Sequence, residues 1–282
     1  MASGGRAPLM RADRLIVERG LARSRTLARR LIEAGSVSAF DALGHAVPIK
    51  PATELAPDAR LEMAASELDA YVSRGGLKLA GALRGFGIDV RGWRCLDAGQ
   101  STGGFTDCLL RHGAAFVCGI DVGHGQVDPA LRARPEVRVI ERTNIRHLDA
   151  AGLARLCPEA AEHPFDLFVA DLSFISLRLV LPALAGLAAP GARLVALVKP
   201  QFEAGREALD GRGIVRSDAA IGQVRTAVSA AAESAGWRVR DWIASPIDGG
   251  DGNREYFIHA RREAAPPAPP LFPAGDRSGS AA

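Results

Sequence analysis

The chain reads as an α/β protein in which a small α/β unit precedes a mostly parallel sheet of seven strands. Three observations predict this. Short apolar runs alternate with helical patterns from about residue 68 to residue 261. A glycine-rich turn follows the first of those runs, in Leu96-Asp97-Ala98-Gly99-Gln100-Ser101-Thr102-Gly103-Gly104-Phe105. An arginine-rich segment with its own helical periodicity stands ahead of them, from about Met10 to Met63. Alternation of this kind builds βαβ units, whose helices cover both faces of the sheet.

The N-terminal segment comes first. Leu15, Ile16, Leu27, Leu31 and Ile32 fit the apolar faces of two short helices, and Ser24 is placed to cap the second. Arg11, Arg14, Arg23, Arg25, Arg29 and Arg30 crowd this segment, with Asp13 and Glu18 opposing them. Arg25 and Arg29 are four apart and share a helix face. Guanidinium forks on such a face suit phosphate oxygens, so these six arginines are candidate RNA contacts. The plainer reading is a solvated helix face. After Gly35-Ser36-Val37, strand-like segments run to Met63.

The sheet strands follow. They are expected at Arg94–Leu96, Phe116–Ile120, Val137–Ile140, Leu167–Ala170, Leu194–Val198, Val239–Ile243 and Glu255–His259, with helices notably at Leu179–Ala188 and Asp218–Ala235. The apolar stretch Leu179–Val198 is not read as a membrane span, because Pro182, Pro190-Gly191 and Arg193 interrupt it. Residues 1–9 are expected to be a flexible N-terminus and 263–282, rich in Pro, Ala, Gly and Ser, a disordered tail.

Composition narrows the class. A hydrophobic content of 48% supports a real core. A net charge of +3 is too small to signal a nucleic-acid partner by itself, so the placement of the arginines has to carry that inference. The four cysteines, Cys95, Cys108, Cys118 and Cys157, form no CxxC pair. They read as reduced core residues of a cytoplasmic protein. No His/Cys/Asp cluster has metal-ligand spacing, and no metal is expected.

The chemistry gathers where strands end. Ligands of such sheets bind beyond the carboxyl ends of the strands. Glycines at 99, 103 and 104 let the backbone turn tightly and approach a ligand. Asp121, about twenty positions past the turn and ending an apolar run, is placed to accept from a ribose. The spacing is D-x-G-x-x-x-G-G, without the lysine and Ser/Thr of a phosphate-binding loop. Asp171 and Lys199 each follow an apolar strand and should project into the same cleft. Lys78 lies shortly before the sheet and Glu255 at the start of its last strand. Taken singly, each has a bland reading as a cap, a solvated lysine or an edge charge.

Taken together, these residues resemble a known set. The glycine turn resembles motif I of S-adenosylmethionine-dependent methyltransferases. Lys78, Asp171, Lys199 and Glu255 occur in the order of the K-D-K-E tetrad of ribose 2′-O-methyltransferases related to the FtsJ group. A ribose hydroxyl must lose its proton as it attacks, and a lysine can accept that proton only as a neutral amine. Lys199 is the expected base, with Lys78 lowering its proton affinity and Asp171 and Glu255 orienting the amines. The segment Leu15–Gly20, Ser24-Arg25, Ala28, Leu31-Ile32, Gly35 and Val37 is similar to the RNA-binding domain named after ribosomal protein S-four.

An S-four-like domain joined to an FtsJ-like domain resembles the TlyA family, also called hemolysin A. Its most specific stretches are Tyr71–Leu79, Ser101–Leu109, Glu141–Asn144, Asp171–Arg178 and Val198–Glu207. The resemblance implies a Rossmann-like class I methyltransferase fold at 75–262, an RNA-binding domain at 10–67 and a linker at 68–74. It implies methylation of cytidine 2′-hydroxyls of ribosomal RNA within ribosomal subunits, with S-adenosylmethionine as cofactor. The implied cofactor contacts are Asp97, Gly99, Ser101, Gly103, Gly104, Phe105, Asp121, Asn144 and Asp171. One departure is Ala98-Gly99-Gln100, where Val-Gly-Ala is common. Two other classes stay open: an assembly factor on an inactive methyltransferase fold, and a membrane-active hemolysin.

Overall fold

The computed structural model describes residues 8–22, 24–41, 43–63, 70–249 and 252–263. The expected disordered tail lies outside them apart from Glu263, as does the expected flexible N-terminus apart from Pro8 and Leu9. Of the expected linker, residues 68 and 69 are also outside, and Arg74 already belongs to a helix.

The N-terminal unit comprises β1 (Met10–Arg11), α1 (Ala12–Glu18), α2 (Arg25–Glu33), β2 (Val37–Phe40), β3 (Ala46–Val47), β4 (Glu54–Leu55) and β5 (Leu61–Met63). The two predicted helices form, and Ser24 caps α2, its hydroxyl accepting from the Leu27 amide at 3.2 Å. Ala12, Ile16, Leu27, Leu31 and Ile32 close a small core with Val37 of β2. β2 is the central strand of a three-stranded antiparallel sheet, between β3 and β5.

The larger unit runs α3 (Arg74–Gly85), β6 (Arg94–Ala98), α4 (Gly104–Arg111), β7 (Phe116–Ile120), α5 (Pro129–Arg132), β8 (Val137–Ile140), α6 (Ala150–Leu156), α7 (Glu159–Glu162), β9 (Leu167–Ala170), α8 (Leu181–Leu187), β10 (Arg193–Val198), α9 (Pro200–Glu203), α10 (Asp218–Ser234), β11 (Trp237–Ala244) and β12 (Tyr256–Arg262). All seven predicted strands are present. The sheet order is β11-β12-β10-β9-β6-β7-β8. β12 alone runs opposite to the other six strands, lying antiparallel between β10 and β11. β12 begins at Tyr256, so Glu255 immediately precedes the strand rather than opening it.

Side chains alternate between two cores, as the two-residue period of a strand requires. Leu96, Phe168 and Leu194 face one, under α8 and α10. Cys95, Leu167 and Val195 face the other, under α3 and α4. All four cysteines are buried and free. Phe168 and Trp237 meet edge to face at 5.9 Å. Among the described residues, no helix is long and apolar enough to cross a membrane. Strand order reverses at β6, whose neighbours are β7 and β9, and the carboxyl ends of β6 and β9 open the crevice where such sheets take ligands.

Candidate active site

The glycine turn caps the end of β6. Gly99 has φ +83°, and a Cβ there would lie 2.5 Å from the Asp171 carbonyl oxygen. The turn therefore closes on the β9 loop only because that side chain is missing. Ser101 also has positive φ, +48°. A buried chain of hydrogen bonds braces the turn from beneath. Gln100 Nε2 donates to Thr106 Oγ1 at 2.9 Å, and Thr106 Oγ1 donates to Asp97 Oδ2 at 2.7 Å.

Asp97 corrects one expectation. It is fully buried and is not among the residues lining the cavity beside the turn. Burial pushes its carboxyl up to about 7, against the opposing hydrogen bond from Thr106. Its place is under the turn, as a strut. The departure at Gln100 belongs to the same strut.

Asp121 immediately follows β7 and does two things at once. Its Oδ2 accepts from the Ser101 amide at 2.8 Å and its Oδ1 from the Gly123 amide at 2.7 Å. A carboxylate has about four acceptor sites, so two remain. Asp121 lines a cavity of about 520 Å³ with Gly99, Ser101, Asn144 and Asp171. Asn144 Oδ1 accepts from the Arg146 amide at 3.0 Å, which leaves its NH₂ as a donor. Gly104 and Phe105 line an adjoining cavity of about 140 Å³. Gly103, with φ +97°, packs instead against Leu131, 2.6 Å from where its Cβ would stand.

The four tetrad candidates form two ion pairs. Lys199 Nζ stands 2.7 Å from Asp171 Oδ1 and donates to Ser173 Oγ at 2.8 Å. Lys78, on α3, is bonded to Glu255, a partner 177 positions away, and both side chains are buried. The smaller cavity is lined by Lys199, Asp171 and Ser173 and shares Gly99, Ser101, Asp171 and Ser173 with the larger. A third cavity, of about 510 Å³, meets it at Ser73, Gly75, Ser101 and Thr102 and is lined by Lys78. Its far wall is α2, through Thr26, Leu27 and Arg30.

Two further residues stand out that sequence reasoning did not single out. Ser173 joins the lysine pair directly. Phe174 is 91% exposed, has φ +64° and sits with its ring 5.3 Å from that of Phe202 at the rim of the larger cavity. An exposed aromatic on a strained backbone is a signal only the structure provides.

The candidate RNA arginines divide. Arg11 and Arg25 both hold Asp13, which is fully buried. The Arg11 hydrogen bond brings the Asp13 carboxyl down to about 2, with burial opposing and Arg25 assisting. Arg14 pairs with Glu18. Arg23 lies outside the described residues. Arg29 and Arg30 are exposed.

The glycine cradle, the ribose-type acceptor, the amide donor and the donor-rich turn fit S-adenosylmethionine. With the sheet order, they define an S-adenosylmethionine-dependent methyltransferase. The comparisons agree. The family described as FtsJ-like methyltransferase matches residues 71–262. A Mycobacterium tuberculosis protein, 16S/23S rRNA (cytidine-2′-O)-methyltransferase TlyA, is 47% identical over 253 residues, covering 90% of each chain. A Campylobacter jejuni relative, 23S rRNA (cytidine-2′-O)-methyltransferase TlyA, is 33% identical, covering 89% of this chain and 98% of its own. The solved structure of a proposed hemolysin from Streptococcus thermophilus superposes with a TM-score of 0.69 at 39% identity, covering 92% of this chain and 90% of that one. This chain belongs to the FtsJ-like methyltransferase family, in its TlyA (hemolysin A) group.

Proposed function

We propose that this protein methylates the ribose 2′-hydroxyl of a cytidine in ribosomal RNA, acting on ribosomal subunits. The observation that carries the reading is the Lys199–Asp171–Ser173 cluster, which lines the smallest cavity where it adjoins the 520 Å³ one, next to the glycine turn. The relatives' cytidine and ribosomal RNA supply the substrate class.

Gly99, Ser101, Asp121 and Asn144 would hold the cofactor, with Asp121 taking the ribose and Asn144 the adenine end. When bound, S-adenosylmethionine supplies a methyl group already activated by its sulfonium. The protein then has to align a hydroxyl and remove its proton. Lys199, once its ammonium has lost a proton to solvent, takes the hydroxyl proton at Nζ as the neutral amine, and the Asp171 carboxylate and Ser173 hydroxyl fix where Nζ stands. Lys78 lines the third cavity and is held there by the buried Glu255. Phe174 offers a face on which a base can stack. Arg29 and Arg30, which have no carboxylate partner among the described residues, suit the RNA backbone. The N-terminal unit, about 10–67, acts as the RNA-binding domain and 75–262 as the catalytic one. Asp97, placed under the turn, acts on the cofactor only through it.

The test is transfer of labelled methyl from S-adenosylmethionine to unmodified small and large ribosomal subunits. The expected product is a 2′-O-methylcytidine that Lys199→Ala does not form. Absence of label in either subunit, with cofactor binding intact, would overturn the substrate assignment.

A further inference from the structure

Glu203 lies outside the tetrad, yet its carboxylate is more completely enclosed than that of Asp171. Its side chain is 2% exposed, against 23% for Asp171. It accepts from Ser176 Oγ at 2.6 Å, from the Leu177 amide at 2.5 Å and from Arg178 Nε at 3.2 Å. Arg178 also donates to the Glu203 carbonyl at 3.1 Å. A buried anion needs this many donors to be tolerated.

What Glu203 joins is specific. The pairing of β9 with β10 ends at Ala170 and Ala196. Beyond that point no ladder joins the two strands: β9 passes directly into a loop, and β10 does so after Val198. One loop carries Asp171 and Ser173 and leads to Ser176. The other begins at Lys199, and Pro200 at once starts the single turn α9, which ends at Glu203. The Phe202 amide bonds back to the Lys199 carbonyl at 2.9 Å. A displacement of Glu203 therefore reaches Lys199 through one rigid turn.

We propose that Glu203 is a positioning residue for methyl transfer: it clasps the loop after β9 to the turn after β10 and so fixes the Lys199 amine against Asp171 and Ser173. This rests on the reading of Lys199 as proton acceptor. Glutamine keeps the size of the side chain but replaces one acceptor with a donor that faces either the Leu177 amide or Ser176 and Arg178. Aspartate keeps the charge but falls one methylene short.

The experiment compares full-length wild type, Glu203→Gln, Glu203→Asp and Trp237→Phe, a core change remote from the site. It reads kcat and KM for transfer to ribosomal subunits across pH, cofactor affinity, and amide hydrogen exchange at 171–178. Misplacement of a reacting group by about 1 Å costs about 100-fold in rate. Glu203→Gln is expected to lose about 10- to 100-fold in kcat, with KM and cofactor affinity changed by about twofold at most. Its kcat–pH profile should shift, and amides 171–178 should exchange faster. Glu203→Asp should fall between it and wild type, and Trp237→Phe should keep the wild-type profile. A Glu203→Gln enzyme with unchanged kcat, or one whose kcat falls only in step with its folded fraction at an unchanged pH profile, overturns the proposal. Wild type that transfers no methyl to either subunit would overturn the substrate assigned above. The clasp would then be judged by exchange alone, faster at 171–178 supporting it and unchanged overturning it.

Discussion

The two halves of the cleft are built by different means. On the β6–β7 side, backbone does most of the work. Gly99 closes against a carbonyl, and Asp121 holds the amides of Ser101 and Gly123. On the β9–β10–β12 side, side chains do it. Lys199 reaches Asp171 and Ser173, and Lys78 reaches Glu255. Backbone cradles recognise a cofactor whose shape does not change. Ion-paired side chains fix where a lysine amine stands relative to the reacting hydroxyl. The difference predicts that damage to the first half appears in cofactor affinity and damage to the second in rate.

The sharpest way to break that division is Lys199→Ala. General-base catalysis contributes about 10²- to 10⁴-fold, so kcat should fall by about that range while cofactor affinity holds. Lys199→Arg should fail as well, because a guanidinium stays protonated. Parallel loss of cofactor binding in Lys199→Ala would erase the distinction between the halves.

Next in size is the buried pair. Lys78→Met leaves Glu255 as an unpaired buried carboxylate and should destabilise the fold by about 3–5 kcal/mol. Lys78→Met with Glu255→Leu should recover much of that stability in thermal denaturation without recovering activity. A double variant as unstable as the single would show that the pair is not isolated.

On the backbone side, Gly99→Ala places a Cβ against the Asp171 carbonyl in a left-handed conformation. Cofactor affinity, measured by calorimetry, should fall about tenfold or more, as a strain of about 1–3 kcal/mol implies. Normal affinity with slow turnover would place Gly99 functionally in the other half.

Asp97 gives a pH signature. Its folded value, about 7, stands above the ordinary carboxylate range. As pH rises from about 4 to about 7 the unfolded chain releases a proton that the folded protein still holds. This group's contribution to stability should therefore decline across that window and level off above it. Asp97→Asn should flatten the corresponding slope in denaturation midpoints measured from pH 4 to pH 8. The smallest expected effect is that of Arg30→Ala, a few-fold loss in RNA affinity with a shallower salt dependence, since one phosphate contact adds about one unit to that slope.

Much of this was written locally. The central strands β7, β6, β9 and β10 appear as apolar runs because parallel strands inside such a sheet are buried on both faces, and β7 and β9 are buried at every position. The glycine turn declares itself because only glycine adopts φ +83° cheaply. Ser24 announces the start of α2 because its hydroxyl can cap an amide three residues on. Each of these signals lies within a few residues of the structure it dictates, so the sequence by itself determined them.

Other assignments needed the folded chain. Asp97 and Asp121 are both acidic residues at strand ends, yet one is a buried strut and the other lines the cavity. Arg25 and Arg30 both lie on α2, yet Asp13 holds the first, while the second lines a cavity with Lys78. Glu203 reads as an ordinary charge in a loop until its partners arrive from about 26 positions away. Burial and pairing depend on what the chain brings back from a distance, and long-range packing alone decided which of these charges are struts, clasps or functional groups.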